Sequence, residues 1–300
     1  MTVISLIEAA AERLALAGVA FGHGTDNAFD EAAWLVLWRL GLPLDDLDSV
    51  AERPVDADDK RRVGELIDER IISRKPAAYL TREAWLQGVP FYVDERSIVP
   101  RSLIAELLVQ GTIDPWLSEG TTRVLDLCCG NGSLAVIAVM VYPDVQVHAA
   151  DLSADALDVA RINVERHQFQ DRVRLLPSDG LEAVQGPYDL ILCNPPYVNS
   201  QSMAALPAEY RAEPSLALAG GVDGMDFVRD LLGTVADYLS GRGVLVLEIG
   251  HERAHFEAAF PFLEAVWLET SAGEDQVLLL TQQALQARQG VLPPRRPHSS

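Results

Sequence analysis

At 300 residues the chain is long enough for one large domain or for two smaller ones with separate cores. An apolar share of 49% beside 23% charged residues excludes a disordered chain, and no apolar run reaches the ~18 residues of a membrane-spanning helix. Acidic residues outnumber basic ones 44 to 24, and the formal charge of -20 disfavours non-specific attraction to a phosphate backbone while it attracts basic proteins.

The opening residues lack the basic-then-apolar pattern of an export signal. Cys128, Cys129 and Cys193 are an odd number set in apolar runs, so buried thiols in a reducing cytoplasm are expected, not a disulfide framework. Zinc sites want spaced thiolates and further ligands that this pattern does not offer, so no metal is expected.

Three helices are expected at the front. The first runs from Val3 to Gly18 with Ile4, Ile7, Ala11 and Leu14 on one face. Thr25 or Asp26 caps a second that carries Ala32, Leu35, Val36 and Trp38 and ends near Gly41. The third spans Asp56 to Arg74, with Val63, Leu66, Ile67 and Ile71 inward. Residues 1–88 therefore read as a helical domain, suited to substrate recognition, an active-site cap or subunit contacts. His23 reads as a loop histidine satisfying backbone groups, and Asp45, Asp46 and Asp48 as a solvated surface.

From Tyr79 the texture becomes aromatic and β-branched, and Phe91 to Val99 is expected to form a hairpin turning at Asp94-Glu95-Arg96. Residues 89–101 then link to the larger domain, 102–285, whose next helix follows Pro100-Arg101. Tyr92 falls near the interdomain cleft, where ligand contact and core packing are both open to it.

The larger domain reads as α/β. Arg123 to Cys128 is an apolar strand, Cys129-Gly130-Asn131-Gly132 a tight turn, and Ser133 opens a helix, so Gly130 and Gly132 allow close approach of a ligand. A second strand ends at Asp151, placed to accept the hydroxyls of a ribose or, alternatively, to cap the following helix. The third leads to Asp179, placed against a base edge. The fourth, Tyr188 to Cys193, runs into Asn194-Pro195-Pro196-Tyr197, where two prolines force the backbone out of the sheet. Ser200 to Gly221 reads as a long irregular segment with a functional purpose, followed by a helix from Val222 to Leu239 and a strand at Gly243 to Ile249. A helix from His251 to Ala259 and an antiparallel edge pair, Glu264 to Leu268 and Gln276 to Leu280, close the sheet, and 286–300 reads as a frayed polar tail.

The turn lacks the third glycine of the dinucleotide fingerprint, and a nicotinamide cofactor leaves the fourth-strand tip without a role. S-adenosylmethionine fits better, with its amino-acid part over the glycine turn, its ribose at Asp151 and its methylsulfonium toward Asn194.

Asp126-Leu127-Cys128-Cys129-Gly130-Asn131-Gly132 resembles motif I of class I methyltransferases, and Asn194 to Tyr197 is similar to the signature of those acting on planar amide or exocyclic amino nitrogens. More narrowly, the chain resembles the protein-glutamine N5-methyltransferases from its front end to about residue 280. The resemblance is carried by Phe21 to Thr25, Tyr79 to Trp85, Phe91 to Arg96, Pro100-Arg101-Ser102 and Leu206 to Arg211. Within Tyr79 to Trp85, Arg82 stands where the family often has asparagine, a change to which no function attaches. The cysteine pair at 128 and 129, and Ser102-Leu103-Ile104 where the release-factor branch carries Pro-Glu-Thr, point to the branch that modifies ribosomal large-subunit protein three.

The resemblance implies a class I methyltransferase fold behind a helical domain, a cytoplasmic enzyme, and a protein substrate met before or during ribosome assembly. It places Tyr92, Asp126, Cys128, Gly130, Gly132, Asp151, Asp179 and Asn194 around the cofactor and Asn194, Pro195, Pro196 and Tyr197 around the glutamine. The Asn194 side-chain oxygen and the Pro195 carbonyl would accept the two amide hydrogens, and Tyr197 would wall the side chain. The alternatives are a release-factor glutamine methyltransferase, a nucleic-acid amino methyltransferase and a non-catalytic protein-binding adapter. Oligomeric state and target glutamine stay open.

Overall fold

The computed structural model describes residues 1–287. Three longer helices, Val3–Leu16, Ala28–Leu40 and Ala57–Ser73, pack their apolar faces into one cluster that includes Val3, Ile7, Leu14, Leu35, Val63 and Ile67. The buried face of the first helix is turned slightly from the expected one, with Val3, Leu6 and Ala10 inside where Ile4 and Ala11 were expected. Asn27, rather than Thr25 or Asp26, caps the second helix, because its extended backbone lets the side chain accept the Asp30 N–H at 2.9 Å. Asp56 caps the third in the same way.

The hairpin lies earlier than expected. Strands β1 (Ala84–Leu86) and β2 (Val89–Phe91) pair antiparallel around Gln87-Gly88, both at positive φ, the backbone a two-residue hairpin needs. Asp94-Glu95-Arg96 makes a turn without strands, since the Asp94 carboxylate accepts the Arg96 N–H at 3.1 Å and its guanidinium at 2.7 Å. Turn-forming residues were present at both places, and only Gln87-Gly88 had pairing strands on either side.

The main sheet contains β3 (Arg123–Leu127), β4 (Gln146–Asp151), β5 (Val173–Pro177), β6 (Tyr188–Cys193), β7 (Leu239–Glu248), β8 (Val266–Thr270) and β9 (Gly273–Thr281), in the order β5-β4-β3-β6-β7-β9-β8. β3 to β7 are parallel, and β9 runs antiparallel to β7 and to β8, which gives the expected edge pair. Helices Ile104–Val109, Ser133–Val141 and Ala154–Arg166 contribute to the core on one face, while Asp226–Leu232, Arg253–Ala259 and Gln282–Gln286 contribute to the other. The chain leaves β3 toward β5 and returns to β6 on the other side of β3. The order therefore reverses at β3 and β6, where a crevice opens beyond the carboxyl ends of the strands.

Three expected elements change. The helix from Val222 to Leu239 is Asp226–Leu232 followed by a turn at Val235–Tyr238, broken at Gly233, and β7 begins at Leu239 instead of Gly243. The segment 200–221 contains the short helices Ser200–Ala205 and Ala208–Arg211 and a turn at Ser215–Ala217, the last two starting directly after Pro207 and Pro214. Gln286 ends a helix, and beyond Ala287 the expected tail lies outside the described residues. Among the described residues no helix is long and apolar enough to cross a membrane.

Candidate active site

β3 and β6 are neighbours in register, with Leu127 opposite Cys193, so the glycine turn and the Asn194-Pro195-Pro196 tip leave the sheet side by side. Cys128 already sits at φ 60°, and Gly130 and Gly132 follow at 52° and 76°. A side chain at Gly130 would meet nothing within 4 Å, which leaves its backbone open toward the cleft.

Asp151, at the tip of β4, accepts the Gly130 N–H and the Ser153 N–H, each at 2.8 Å. Burial raises its pKa, and these N–H groups oppose the rise. Ser153 caps the next helix by accepting the Ala156 N–H at 3.1 Å, so helix capping falls to Ser153 and Asp151 faces the cleft.

Cys128, Gly130, Asp151, Asp179, Asn194 and Pro196 line this one cleft. Phe227 and Leu152 join them, as do residues from two stretches that the sequence reading left out of the site: Arg96-Ser97-Ile98 and Pro214-Leu216-Ala217. The second stretch belongs to the long segment whose length had already suggested a function.

The other expected residues lie around the cleft without lining it. The Tyr92 hydroxyl donates to Asp94 at 2.8 Å and accepts from Arg82 at 2.9 Å, while its backbone N–H donates to Asn163 Oδ1 at 2.7 Å. Asp126 is buried in β3, where it accepts the Ala135 N–H at 2.9 Å; burial, aided by the nearby Asp151 charge, pushes it up to about 7. Gly132 lets a helix approach, since a Cβ there would sit 3.1 Å from the Ala160 Cβ. Pro195 is buried, and the half-buried Tyr197 turns its hydroxyl to Glu248.

Asn163 carries a positioning role that sequence reasoning missed. It is fully buried and donates to the Tyr92 carbonyl and the Asn131 carbonyl, both at 2.9 Å, which clamps the post-hairpin segment to the glycine turn. Its signal was a polar residue among Ala156, Val159, Ala160 and Val164 on the buried face of a helix.

Glu213 holds the long segment to the front of the chain. It accepts the Val99 N–H at 2.9 Å and a two-pronged contact from Arg101, both prongs at 2.7 Å. His23 Nε2 stands 3.4 Å away, an ion-pair distance without hydrogen-bond geometry, so His23 is buried against a carboxylate instead of backbone groups. Burial alone would raise the Glu213 pKa, but Arg101 and His23 hold it at about 2. Cys129 and Cys193 are buried free thiols and Cys128 a half-buried one. Contact with Cys193 and burial push the Cys128 thiol well above its ordinary range.

The methyltransferase small domain family matches residues 105–209. Over 287 residues the chain is 55% identical to the ribosomal protein uL3 glutamine methyltransferase of Bordetella pertussis, covering 95% of this chain and 96% of that one. It is 50% identical to the protein of the same name from Burkholderia pseudomallei, covering 96% and 97% of the two chains. Among solved structures, the hMettl16 catalytic domain in complex with a MAT2A 3'UTR hairpin aligns with a TM-score of 0.50 at 14% identity, over 75% of this chain and 81% of that one, a likeness of fold alone.

Proposed function

The chain belongs to the ribosomal protein uL3 glutamine methyltransferases, and from that membership we propose that it transfers a methyl group from S-adenosylmethionine to the side-chain amide nitrogen of a glutamine in ribosomal protein uL3. Its sheet order and family match give it the class I S-adenosylmethionine-dependent methyltransferase fold. One observation carries the reading of the site: Asn194 and Pro196, at the end of β6, line the same cleft as Gly130 and Asp151 at the ends of β3 and β4.

The residues present fit S-adenosylmethionine. Gly130 offers open backbone, the Asp151 carboxylate retains lone pairs for a ribose diol, and Asp179 with Leu152 and Phe227 frames a planar base. When bound, S-adenosylmethionine supplies a methyl carbon made electrophilic by a cationic sulfur.

An amide nitrogen is a weak nucleophile because its lone pair is shared with the carbonyl. The Asn194 side-chain oxygen and the Pro195 carbonyl accept its two hydrogens and aim the nitrogen into the cleft. As positive charge develops on that nitrogen, both hydrogen bonds strengthen, so they stabilise the transition state more than the bound substrate. Tyr92, Asp126 and Gly132 support the cofactor side through the backbone they hold, and Cys128 lines the cleft.

The front helices Val3–Leu16, Ala28–Leu40 and Ala57–Ser73 bind the protein substrate; the end of the expected helical domain, residues 84–88, belongs to the β1–β2 hairpin. A ribosomal protein must neutralise phosphates and is rich in lysine and arginine, so the charge of -20 favours its approach. The glutamine must leave its own surroundings to enter the cleft, which favours free or assembling uL3 in the cytoplasm over the finished ribosome. The same charge speaks against direct nucleic-acid binding.

The test is Asn194→Ala, with cofactor affinity read by calorimetry and turnover by label transfer from S-adenosylmethionine to purified uL3. Affinity should stay near that of the wild type while turnover falls by at least ~10²-fold. Near-normal turnover would remove Asn194 from the mechanism, and label found by mass spectrometry on release factors alone would overturn the substrate.

A further inference from the structure

Tyr197 is held on three sides by glycines from two places in the chain, the loop before the helix Asp226–Leu232 and the turn after β7. A Cβ at Gly220 would lie 2.7 Å from the Tyr197 Cα, one at Gly250 would lie 2.6 Å from its ring, and one at Gly224 would collide with its carbonyl oxygen. Gly224 and Gly250 also have positive φ, so side chains are disfavoured there twice over.

The far end of the residue is polar. The Tyr197 hydroxyl lies 3.5 Å from Glu248 Oε1, at the carboxyl end of β7. Glu248 is 3% exposed and has its other oxygen engaged: Oε2 accepts the Ser102 hydroxyl at 2.6 Å and the Leu103 N–H at 2.9 Å. The carboxylate therefore spans two parts of the fold, the segment entering the helix Ile104–Val109 and the tip of β6.

We propose that Glu248 is a positioning residue for methyl transfer, acting through Tyr197 on the backbone that presents Asn194 and the Pro195 carbonyl. The inference rests on the methyl-transfer reading above. Among the described residues no side-chain hydrogen bond fixes Asn194 itself, so its placement depends on where residues 195–197 are anchored. The three glycine contacts restrain the backbone and ring by shape, and Glu248 restrains the one polar group that could let the ring slide.

The surrounding charges agree with this role. Burial and the Glu248 charge raise the Tyr197 pKa, so its hydroxyl keeps its proton and donates. Burial pushes the Glu248 carboxyl up to about 7, against the Ser102 hydroxyl, the Ile104 and Leu103 N–H groups and the Arg101 guanidinium. Arg101 is itself paired with Glu213, which also faces Tyr197. Ionised Glu248 accepts from Ser102, Leu103 and Tyr197 together, whereas protonation on Oε1 sets an O–H donor against the Tyr197 hydroxyl and weakens its anchor.

The experiment compares turnover on uL3 and cofactor affinity across pH for wild type, Glu248→Gln, Glu248→Leu, Tyr197→Phe and the Glu248→Leu/Tyr197→Phe pair. Wild-type kcat should fall as pH drops through about 7. Glu248→Gln, neutral at every pH like the protonated acid, should hold kcat about 10-fold below wild type at pH 8 and show no acid limb. Glu248→Leu and Tyr197→Phe should each lower kcat by about 10- to 100-fold with cofactor Kd unchanged, and the pair should cost no more than the worse single change. An acid limb that persists in Glu248→Gln, or wild-type kcat in Tyr197→Phe, overturns the role of Glu248, and neither measurement depends on Glu248→Leu folding. If wild type leaves uL3 unlabelled, it is the methyl-transfer reading that has failed.

Discussion

Replacing Arg70 with methionine should destabilise the protein by about 3–5 kcal/mol, the usual cost of stranding a buried charge. Arg70 is wholly buried in the helix Ala57–Ser73 and donates to Glu31 at 2.8 Å, to the Ala20 carbonyl at 2.9 Å and to Glu209 at 3.2 Å. Methionine fills much of the volume, so the loss is mainly electrostatic. Glu209 would keep Arg74 at 2.9 Å, whereas Glu31, 1% exposed, would retain the Thr25 hydroxyl at 3.4 Å and the weaker influence of His23. The penalty therefore falls on Glu31.

Its pKa is already raised by burial, and Arg70 is the chief influence holding it down. In Arg70→Met the folded-state pKa rises further above the unfolded value. The folded state then binds the proton more tightly, so the contribution is favourable below the unfolded pKa and is lost as pH rises through the folded one. The deficit against wild type should be largest near pH 8 and shrink toward pH 5. Thermal unfolding followed by circular dichroism should show a Tm lower by about 10 °C at pH 8. Arg70→Met/Glu31→Leu should recover most of that loss. A Tm within about 2 °C of wild type at pH 8, or a deficit that does not change with pH, would refute the assignment of a stranded carboxylate.

Asp151→Ala should weaken S-adenosylmethionine binding by roughly 10- to 100-fold in calorimetry, because it removes a charged acceptor and frees the Gly130 N–H that the carboxylate holds. Unchanged affinity would remove Asp151 from the ribose site. Glu213 is held at about 2 when folded, below its ordinary value of 4.5, so its stabilisation is present above about pH 4.5 and is lost as pH falls toward 2. Glu213→Gln should accordingly lower the urea midpoint at pH 7 and approach wild type near pH 2. A deficit equal at both pH values would show that shape, and not charge, is what the residue supplies.

Much of the large domain was legible because its signals are local. Alternating and continuous apolar runs mark strands, glycines at 130 and 132 mark the turn, and two prolines mark where β6 leaves the sheet. The three longer front helices were legible for the same reason, although the buried face of the first is turned by one position and the second is capped one or two residues later, at Asn27, where several good capping residues stand together; the short helices Leu47–Val50 and Ala77–Thr81 carry too few residues for a periodic signal. The hairpin was misplaced because Asp94-Glu95-Arg96 and Gln87-Gly88 both suit a turn, and the choice depends on which flanking residues pair.

Sequence alone determined the residue types at the strand tips and the family motifs they resemble. Tertiary structure decided which of them share a space. Asp151, Asn194 and Pro196 come together in one cleft because the strand order reverses between β3 and β6, while Asp126 and Gly132, in the same motif as Gly130, turn to helix contacts. Arg70, Asn163, Glu213 and Glu248 have partners 32 to 146 residues away, so their roles depend on the packing of distant segments. A local pattern reports periodicity and backbone freedom; it does not report which distant carboxylate a buried donor will meet.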